Sequence, residues 1–484
     1  MQKILSHVAA AIRPSRAELQ EELGFADMLV AHIQDNAPAG CRVVLTGSMA
    51  KGTFLKDKRD IDIFVLFDRS TPRESLEAAI KALMDASFPT LGYQLSYAEH
   101  PYARFHFEGR RIDLVPAYKI EDASERVSAV DRSVLHTKFV LSALKRSQID
   151  EVLLLKQFLR SNSLYGAEIR VGGLSGYLCE LLIARYGSFR AFVRAASRWK
   201  LPVFIDLKRH YRPAEASEAL KRFGSDLVVV DPTDRNRNVA AAVSPENLRR
   251  LMGMCGAFLR KPSEEAFFRK PETFEEQAGK ASRGSGYLVL SMPRPEIVDD
   301  ILWGQLHKLM SQLKARLKEF GPRAVIADDS AHIVRLALVL ERERLPDTLL
   351  VEGPPLEMKS HAGKFRKSHK GAKFVVKKGK LLAEVKRKTA RAEDAIREFF
   401  QAYAKTKSHL AYPEEMVVLE RVGGKKAPEK RSKKPASPPR AAGRKAAKRR
   451  KSASAARKKT AGKKKPAGRK RAGRKKQPRG RKKK

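Results

Sequence analysis

Asp60 and Asp62 stand one residue apart at the head of the apolar run DIDIFVLF, shortly after Gly47-Ser48 in the stretch TGSMAKGTFLKDKRDIDIFVLF. Residues two apart on a strand project from one face, so both carboxylates point together while Ile61, Ile63 and Val65 pack behind them. Carboxylates held that close repel and raise each other's pKa unless a cation sits between them. A divalent metal meets that need, and hard oxygen donors suit Mg²⁺, which is usually held by a few carboxylates plus substrate phosphates. The glycine supplies the matching half. A strand that breaks at Gly47 and runs into MAKGT can turn backbone N–H groups and the Ser48 hydroxyl toward an anion, and Lys51 adds a point charge. That is a triphosphate cradle without the P-loop pattern GxxxxGK[ST] and without the dinucleotide fingerprint GxGxxG.

Asp113 in RRIDLVPAY is the third candidate. A carboxylate on so apolar a strand is costly unless paired or metal-bound. If that strand lies beside DIDIFVLF, three carboxylates converge, enough to hold two metals for in-line displacement at phosphorus. One metal would activate an attacking 3′-hydroxyl and the other would neutralise the leaving pyrophosphate, with Asp113 assisting removal of the hydroxyl proton. A D-x-D pair alone is more often a solvated strand end. The ordered set of Gly-Ser, D-I-D and a later Asp is the specific signal.

These residues need a sheet to position them. SRAE opens a helix over 15–36 with a capping box, RVVLTGS reads as a strand that breaks at glycine, and IDIFVLF is a second strand. TPRESLEAAIKALM begins a helix, and three further strands fall at 93–97, 102–107 and 111–117, the last two joined at Glu108-Gly109. The expectation is a small mixed sheet over 1–125. Residues 126–261 read as a helical domain, from VLHTKFVLSAL to SPENLRRLMGMCGAFLRK, with LVVVD as a strand and PTDRNRN as a loop. Residues 262–422 give a β-α-β-β order that suggests a ferredoxin-like split sheet, then a hairpin at Lys378-Gly379 and a helix in RAEDAIREFFQAYAK. The fold class is therefore α+β and multidomain.

Charge is unevenly distributed along the 484 residues. From Lys425 to Lys484 there are 30 Lys or Arg against Glu429 alone, so +29 of the net +45 lies there and +16 remains for the rest. That final stretch, 423–484, lacks aromatic residues and is expected to be a disordered tail attracted to nucleic-acid phosphates irrespective of sequence. The plainer alternative is a solvated tail that aids solubility. Cys41, Cys179 and Cys255 are widely separated with no CxxC spacing, which argues against a structural zinc site or a disulfide framework. No apolar run approaches a bilayer span and the N-terminus has no signal pattern, so a soluble cytoplasmic protein without membrane partners is expected.

The Gly-Ser, D-I-D and Asp set resembles the shared motif of the polymerase-β nucleotidyltransferase superfamily. Beyond it, SYAEHPYARFHFEGRRIDLVPAY, DRSVLHTKF, LLLKQFLRSNSLYGAEIRVGGLSGYLCELLIARYGSF and VVVDPTDRNRNVAAAVSPENL resemble the archaeal-type, class I CCA-adding enzymes, in order, to about residue 420. The resemblance implies addition and repair of the tRNA 3′-terminal CCA from CTP and ATP. It implies Asp60, Asp62 and Asp113 as metal ligands and catalytic residues, with Mg²⁺ as cofactor. Gly47, Ser48 and Lys51 would hold the triphosphate, and His136, Lys156 and Tyr165 would complete the nucleotide site. Arg237 is the implied reader of the base edge, with Arg235 as neighbouring competitor, and His100 is placed near the primer end. tRNA is the implied partner and a homodimer is left open. Two positions depart from the family: Asp60 stands where Glu is common and Lys51 where Arg is frequent, both with charge kept. Taken without the family, His136, Lys156 and Tyr165 read as an ordinary histidine, a solvated lysine and a packing aromatic. A poly(A) polymerase or oligoadenylate-type enzyme, or a non-catalytic RNA-binding relative, are the rival readings.

Overall fold

Ser15 caps the helix Arg16–Asn36 as SRAE requires: the Ser15 hydroxyl accepts from the Glu18 amide at 3.2 Å and the Glu18 carboxylate accepts from the Ser15 amide at 2.8 Å. The computed structural model describes residues 1–97 and 101–423; His100 and the basic tail lie outside the described residues. An amphipathic helix that the sequence reading omitted, Gln2–Ile12, precedes the capped one and buries Leu5, Val8 and Ile12.

The first sheet contains β1 Arg42–Thr46, β2 Asp60–Phe67, β3 Tyr93–Tyr97, β4 Pro101–Phe107 and β5 Arg110–Tyr118. Its order is β1-β2-β5-β4-β3, with β2 and β5 parallel and every other pair antiparallel, so the expected mixed sheet is present. Helices Arg16–Asn36 and Leu76–Ser87 cover one face, where Ile61, Ile63, Val65, Ile112 and Leu114 are fully buried. Burial of each such side chain contributes about 1.5–3 kcal/mol, which fixes the register. A slip of one residue would turn the aspartates into that core.

The middle segment is built on helices Arg132–Ala143, Ile149–Ser161, Gly176–Tyr186, Phe189–Ala196 and Pro245–Arg260. They share a core in which Phe158, Phe189, Phe258 and Phe267 form a close aromatic group. The segment also contains a three-stranded sheet, of which LVVVD alone was expected as a strand: β6 Val203–Asp206, β7 Leu227–Asp231 and β8 Asp234–Asn238, in that order. DRNRN, expected as loop, is the edge strand β8. Polar residues hold it there because the Asn238 side chain replaces ladder bonds: its oxygen accepts from the Val229 amide at 2.9 Å and its nitrogen donates to the Leu227 carbonyl at 3.0 Å.

Seven strands follow: β9 Tyr287–Pro293, β10 Pro322–Asp329, β11 Ile333–Leu340, β12 Thr348–Pro355, β13 Lys373–Lys377, β14 Lys380–Lys386 and β15 Val418–Val422. β10-β11-β9-β15 form a four-stranded, wholly antiparallel sheet packed against helices Asp299–Arg316 and Ala392–Tyr403. β12-β14-β13 form a second sheet, inserted between β11 and the helix Ala392–Tyr403 and joined by helix Lys359–Ser368. Its hairpin turns at Lys378-Gly379, both at positive φ, as the KKGK pattern requires. β12, β15 and the helix Lys359–Ser368 were not anticipated. They alternate or scatter small numbers of apolar residues and leave much of their surface exposed.

Candidate active site

Gly47 sits where β1 turns into the short helix Gly47–Lys51, and its φ of +68° favours glycine. Space makes the same demand, since a Cβ there would lie 1.9 Å from Asp62 Oδ2. The backbone thus approaches the carboxylate as no other residue would allow. Met49 is fully buried and pins the turn to the sheet.

Parallel pairing of β2 with β5 sets Asp62 directly beside Asp113 and Asp60 beside Arg111. Thr46 of β1 faces Asp62 from the other side, with its hydroxyl donating to the Asp62 carbonyl at 3.3 Å. The Asp62 carboxylate accepts no hydrogen bond among the described residues. Burial first, then the charges of Asp113 and Asp60, push its pKa up to about 6. The other two carboxylates are held by guanidinium groups. Arg104, across from Asp113 on β4, donates to both its oxygens at 2.7 and 2.9 Å and to the Tyr102 hydroxyl at 3.0 Å. Arg111 reaches Asp60 at 2.7 Å, and Lys58 lies 3.5 Å from the same oxygen.

This donor set fits a hard divalent cation in chemistry. Asp62 and Asp113 are adjacent, and the raised Asp62 carboxyl marks negative charge that protein cations do not balance. It is not gathered as a finished cage: among the described residues no three acidic, histidine or cysteine side chains are close enough to ligate one ion. Arg104 and Arg111 would have to yield as an ion bound.

The aspartate pair opens into a cavity of about 360 Å³ lined by Gly47, Lys51, Asp62, Asp113 and His136 together with Thr46, Tyr102, Ser133 and Tyr177. Five expected residues therefore meet in one space of a size suited to a small ligand. Neither Ser48, which lies on the turn, nor Asp60 lines it. A larger cleft of about 880 Å³, lined by Arg13, Arg16, Leu19 and Arg146, opens on the other side of Lys51 and contains none of the three aspartates. The chemistry assigns the smaller cavity.

Lys51 joins a second, buried charge cluster. Its ammonium lies 2.6 Å from Glu180 Oε2, while Lys156 donates to Glu180 Oε1 at 3.1 Å, to the Thr53 carbonyl at 2.9 Å and to the Thr53 hydroxyl at 3.2 Å. Thr53 in turn donates to Glu180 at 2.6 Å. Lys156 is 2% exposed and all three of its donors are used, so it stands one layer behind Lys51. Burial alone would raise the Glu180 pKa, but the Lys156 and Lys51 charges outweigh it and hold it below the ordinary carboxylate value. Tyr165 packs beside Lys156: a Cβ on Gly176 would meet the Tyr165 hydroxyl at 3.0 Å and Lys156 Nζ at 3.4 Å. Sequence reading missed Glu180, although one acid in the apolar helix YLCELLI was a usable signal.

The far wall is tied to Asp231 at the end of β7. His136 Nε2 and Arg237 Nη1 each lie 2.8 Å from its Oδ2, and the His136 ring stacks on Tyr177 with centroids 4.1 Å apart. Arg235 is turned elsewhere, its guanidinium lying 4.8 Å from the Tyr211 ring centroid.

A sheet that sets two aspartates side by side, next to a glycine turn and a lysine, defines a nucleotidyltransferase, and the family model for a nucleotidyltransferase domain matches residues 28–136. Two further family models match in order: the second domain of tRNA nucleotidyltransferases at 150–268 and the C-terminal domain of CCA-adding enzymes at 283–409. The chain is 36% identical to a CCA-adding enzyme of Methanocaldococcus jannaschii over 413 residues, covering 82% of this chain and 90% of the relative. It is also 36% identical to one of Methanothermobacter thermautotrophicus, covering 75% and 81%, and 37% identical to one of Sulfurisphaera tokodaii, covering 72% and 81%. The chain belongs to the family of CCA-adding enzymes.

Proposed function

We propose that the protein adds cytidine, cytidine and adenosine to the 3′ end of tRNA, using CTP and ATP and releasing pyrophosphate. The observation that carries the site assignment is the β2–β5 register, which places Asp62 beside Asp113 at the floor of the cavity that Gly47 and Lys51 border. Nucleotidyltransferases use divalent metal ions, and we assign Mg²⁺ here because the donors are all carboxylate oxygens. When bound, the metal would activate the 3′-hydroxyl and neutralise charge on the leaving pyrophosphate. The chain's own contribution is positional. Asp60, Asp62 and Asp113 present the oxygen donors, and Asp113 is assigned to assist in removing the hydroxyl proton. Gly47 gives the triphosphate its approach, and Ser48 and Lys51 bind it, with Lys51 held in place by Glu180 and backed by Lys156 and Tyr165. His136 and Arg237 contact the nucleoside, and the role near the primer end that the family resemblance implies is kept for His100.

We read the sheet β10-β11-β9-β15 as ferredoxin-like, because its chain order β-α-β-β-α-β and its antiparallel strand order suit that arrangement. Its inserted part is strongly basic: Lys359 to Lys388 contains twelve Lys or Arg against Glu384. Such a surface suits tRNA, since A-form RNA is recognised mainly by shape and backbone. The tail past residue 424 is assigned extra phosphate contacts, and the cytoplasm is the assigned compartment. No helix among the described residues is long and apolar enough to cross a membrane.

The test is ordered addition on a tRNA lacking its terminus, with CTP and ATP supplied separately and together, using the full chain and a version ending at residue 424. Incorporation of C, C and then A is expected from both, with weaker tRNA binding at raised salt for the shorter one. A long A tail would replace this reading with that of a poly(A) polymerase, and no addition with tRNA binding intact would leave a non-catalytic RNA-binding relative.

A further inference from the structure

Asp231 has no solvent-exposed surface, yet five protein donors converge on its carboxylate. Oδ2 takes His136 Nε2 and Arg237 Nη1, both at 2.8 Å. Oδ1 takes the Thr233 amide at 2.9 Å, the Thr233 hydroxyl at 2.8 Å and the Tyr177 hydroxyl at 3.3 Å. Three of these donors belong to side chains on different elements: His136 on helix Arg132–Ala143, Tyr177 on helix Gly176–Tyr186 and Arg237 on β8. His136 and Tyr177 line the aspartate cavity. Burial would raise the Asp231 pKa, but its His136 bond, the Thr233 amide and the Arg237 charge together hold the carboxyl below its ordinary range. It is therefore an acceptor only.

An acceptor at 2.8 Å fixes the histidine tautomer. His136 Nε2 must carry the proton it donates, and burial, joined by the Arg237 and Arg132 charges, lowers the ring's pKa against the attraction of Asp231, so the neutral form is favoured. The neutral ring then presents Nδ1 as a lone-pair acceptor. No described residue donates to that nitrogen, and the stack on Tyr177 prevents the ring from turning freely. A hydrogen-bond acceptor at the wall of a cavity that holds Asp62 and Asp113 is complementary to a donor on the ligand. The sugar hydroxyls are donors that CTP and ATP share, whereas their bases differ.

We propose that Asp231 is a positioning residue that locks His136 as an acceptor for one ribose hydroxyl of the incoming nucleotide and, through the same oxygen, couples that contact to Arg237. The inference rests on the nucleotide-site reading above and adds which part of the substrate is recognised. It also gives one contact that is blind to base identity and one, at Arg237, that is not. Both share an anchor, so loosening Asp231 loosens both.

Two measurements on the full chain test it. ¹⁵N-histidine spectra, with His136→Phe used to assign the signal, should show the Nε2–H tautomer in the parent protein and its loss in Asp231→Asn. An Nδ1–H tautomer or an imidazolium at neutral pH in the parent overturns the proposal, whether or not the protein proves active. In addition assays, kcat/KM for CTP should exceed that for either its 2′-deoxy or its 3′-deoxy analogue by ~10-fold, the scale of one hydrogen bond. That ratio should fall toward one in His136→Phe, which keeps an aromatic ring to stack on Tyr177, and in Asp231→Asn. Discrimination against neither analogue, or a ratio that both variants leave unchanged, overturns it while ordered C, C, A addition still upholds the function.

Discussion

Two charge clusters flank the same five-residue helix, Gly47–Lys51, and their charges are paired in different ways. At its start lie Asp60, Asp62 and Asp113; Arg104 is bound to Asp113, Arg111 and Lys58 both attend Asp60, and Asp62 has no bound cation among the described residues. At its end Lys51 and Lys156 share Glu180, leaving one ammonium over. Buried charge is retained against a large desolvation cost, and apolar residues of similar volume often serve stability as well. A cluster kept only for stability would be expected to pair every charge directly. An Asp62 carboxylate without a bound cation and a surplus ammonium at Lys51 suit a ligand that is cationic at one end and anionic at the other, as a metal-bound triphosphate is. The difference between them is in protein partners: Glu180 is saturated by the fold, whereas Asp62 has no partner among the described residues. The lysine centre therefore serves structure and function at once, and the acidic centre serves function at the expense of structure.

That contrast is broken most sharply by substitution at each centre. Asp62→Ala should lower nucleotide addition by ~10³-fold or more, because metal stabilisation of the transition state is worth several kcal/mol. tRNA binding at matched salt and thermal stability should persist; addition at the parent rate would remove the aspartates from the chemistry. Glu180→Gln should instead cost about 3–5 kcal/mol of stability, as removal of one partner from a buried pair does, because Lys51 and Lys156 would face each other uncompensated. Denaturant midpoints measure this. If Glu180→Gln unfolded no more easily than Asp62→Ala, the two centres would not differ in kind.

The pH response separates them further. The folded chain binds the Asp62 proton more tightly than the unfolded chain does, since its pKa lies at about 6 against an ordinary 3.8. Metal-free stability should therefore fall as pH rises from about 4 to above 6, by roughly 2–3 kcal/mol from this group. Asp62→Asn should flatten that slope, and added divalent metal should do so too by supplying the missing countercharge. Glu180 works with the opposite sign. Its lowered pKa gives stability that is present above its unfolded value and lost as pH falls through its folded one. Melting curves of the parent and both variants should show the Asp62 slope between about pH 4 and 7 and the Glu180 slope, of opposite sign, below its ordinary value of 4.5; slopes of one sign throughout would contradict the assignment.

The acidic centre was legible in the sequence because strand alternation is strict. DIDIFVLF and RRIDLVPAY had to bury one face, and that forced their aspartates onto the other. Gly47 was legible as a break in a strand, although its closeness to Asp62 was not, because that distance depends on β1 and β2 pairing sixteen residues apart in sequence. The lysine centre was hidden. Thr53, Lys156 and Glu180 come from three separate segments whose local patterns are those of an ordinary loop and two helices, and nothing local says that a lysine within LLLKQF is buried. β8 was misread for a related reason: DRNRN is polar enough for a loop, and only the Asn238 side chain bonded along β7 makes it a strand. Asp231 was quoted within VVVDPTDRNRN but given no role, since its five donors converge only in three dimensions.

Arg104 supplies the finest test of the comparison, because it decides how far the acidic centre is left open. Its paired hydrogen bonds to Asp113 occupy the oxygens that a metal would need, and its positive charge also opposes a cation. Arg104 side-chain exposure is 33%, so solvent screens the pair and its net worth is modest, roughly 1 kcal/mol or less. Arg104→Gln should accordingly strengthen Mn²⁺ binding by the metal-free full chain a few-fold, measured by calorimetry, with the Asp62 carboxyl becoming harder to ionise in the absence of metal. If the arginine serves instead to aim Asp113 at the ion, the same substitution should weaken Mn²⁺ binding. The sign separates a counter-ion that departs from one that orients, and with it whether the arginines compete with the ion or shape its site.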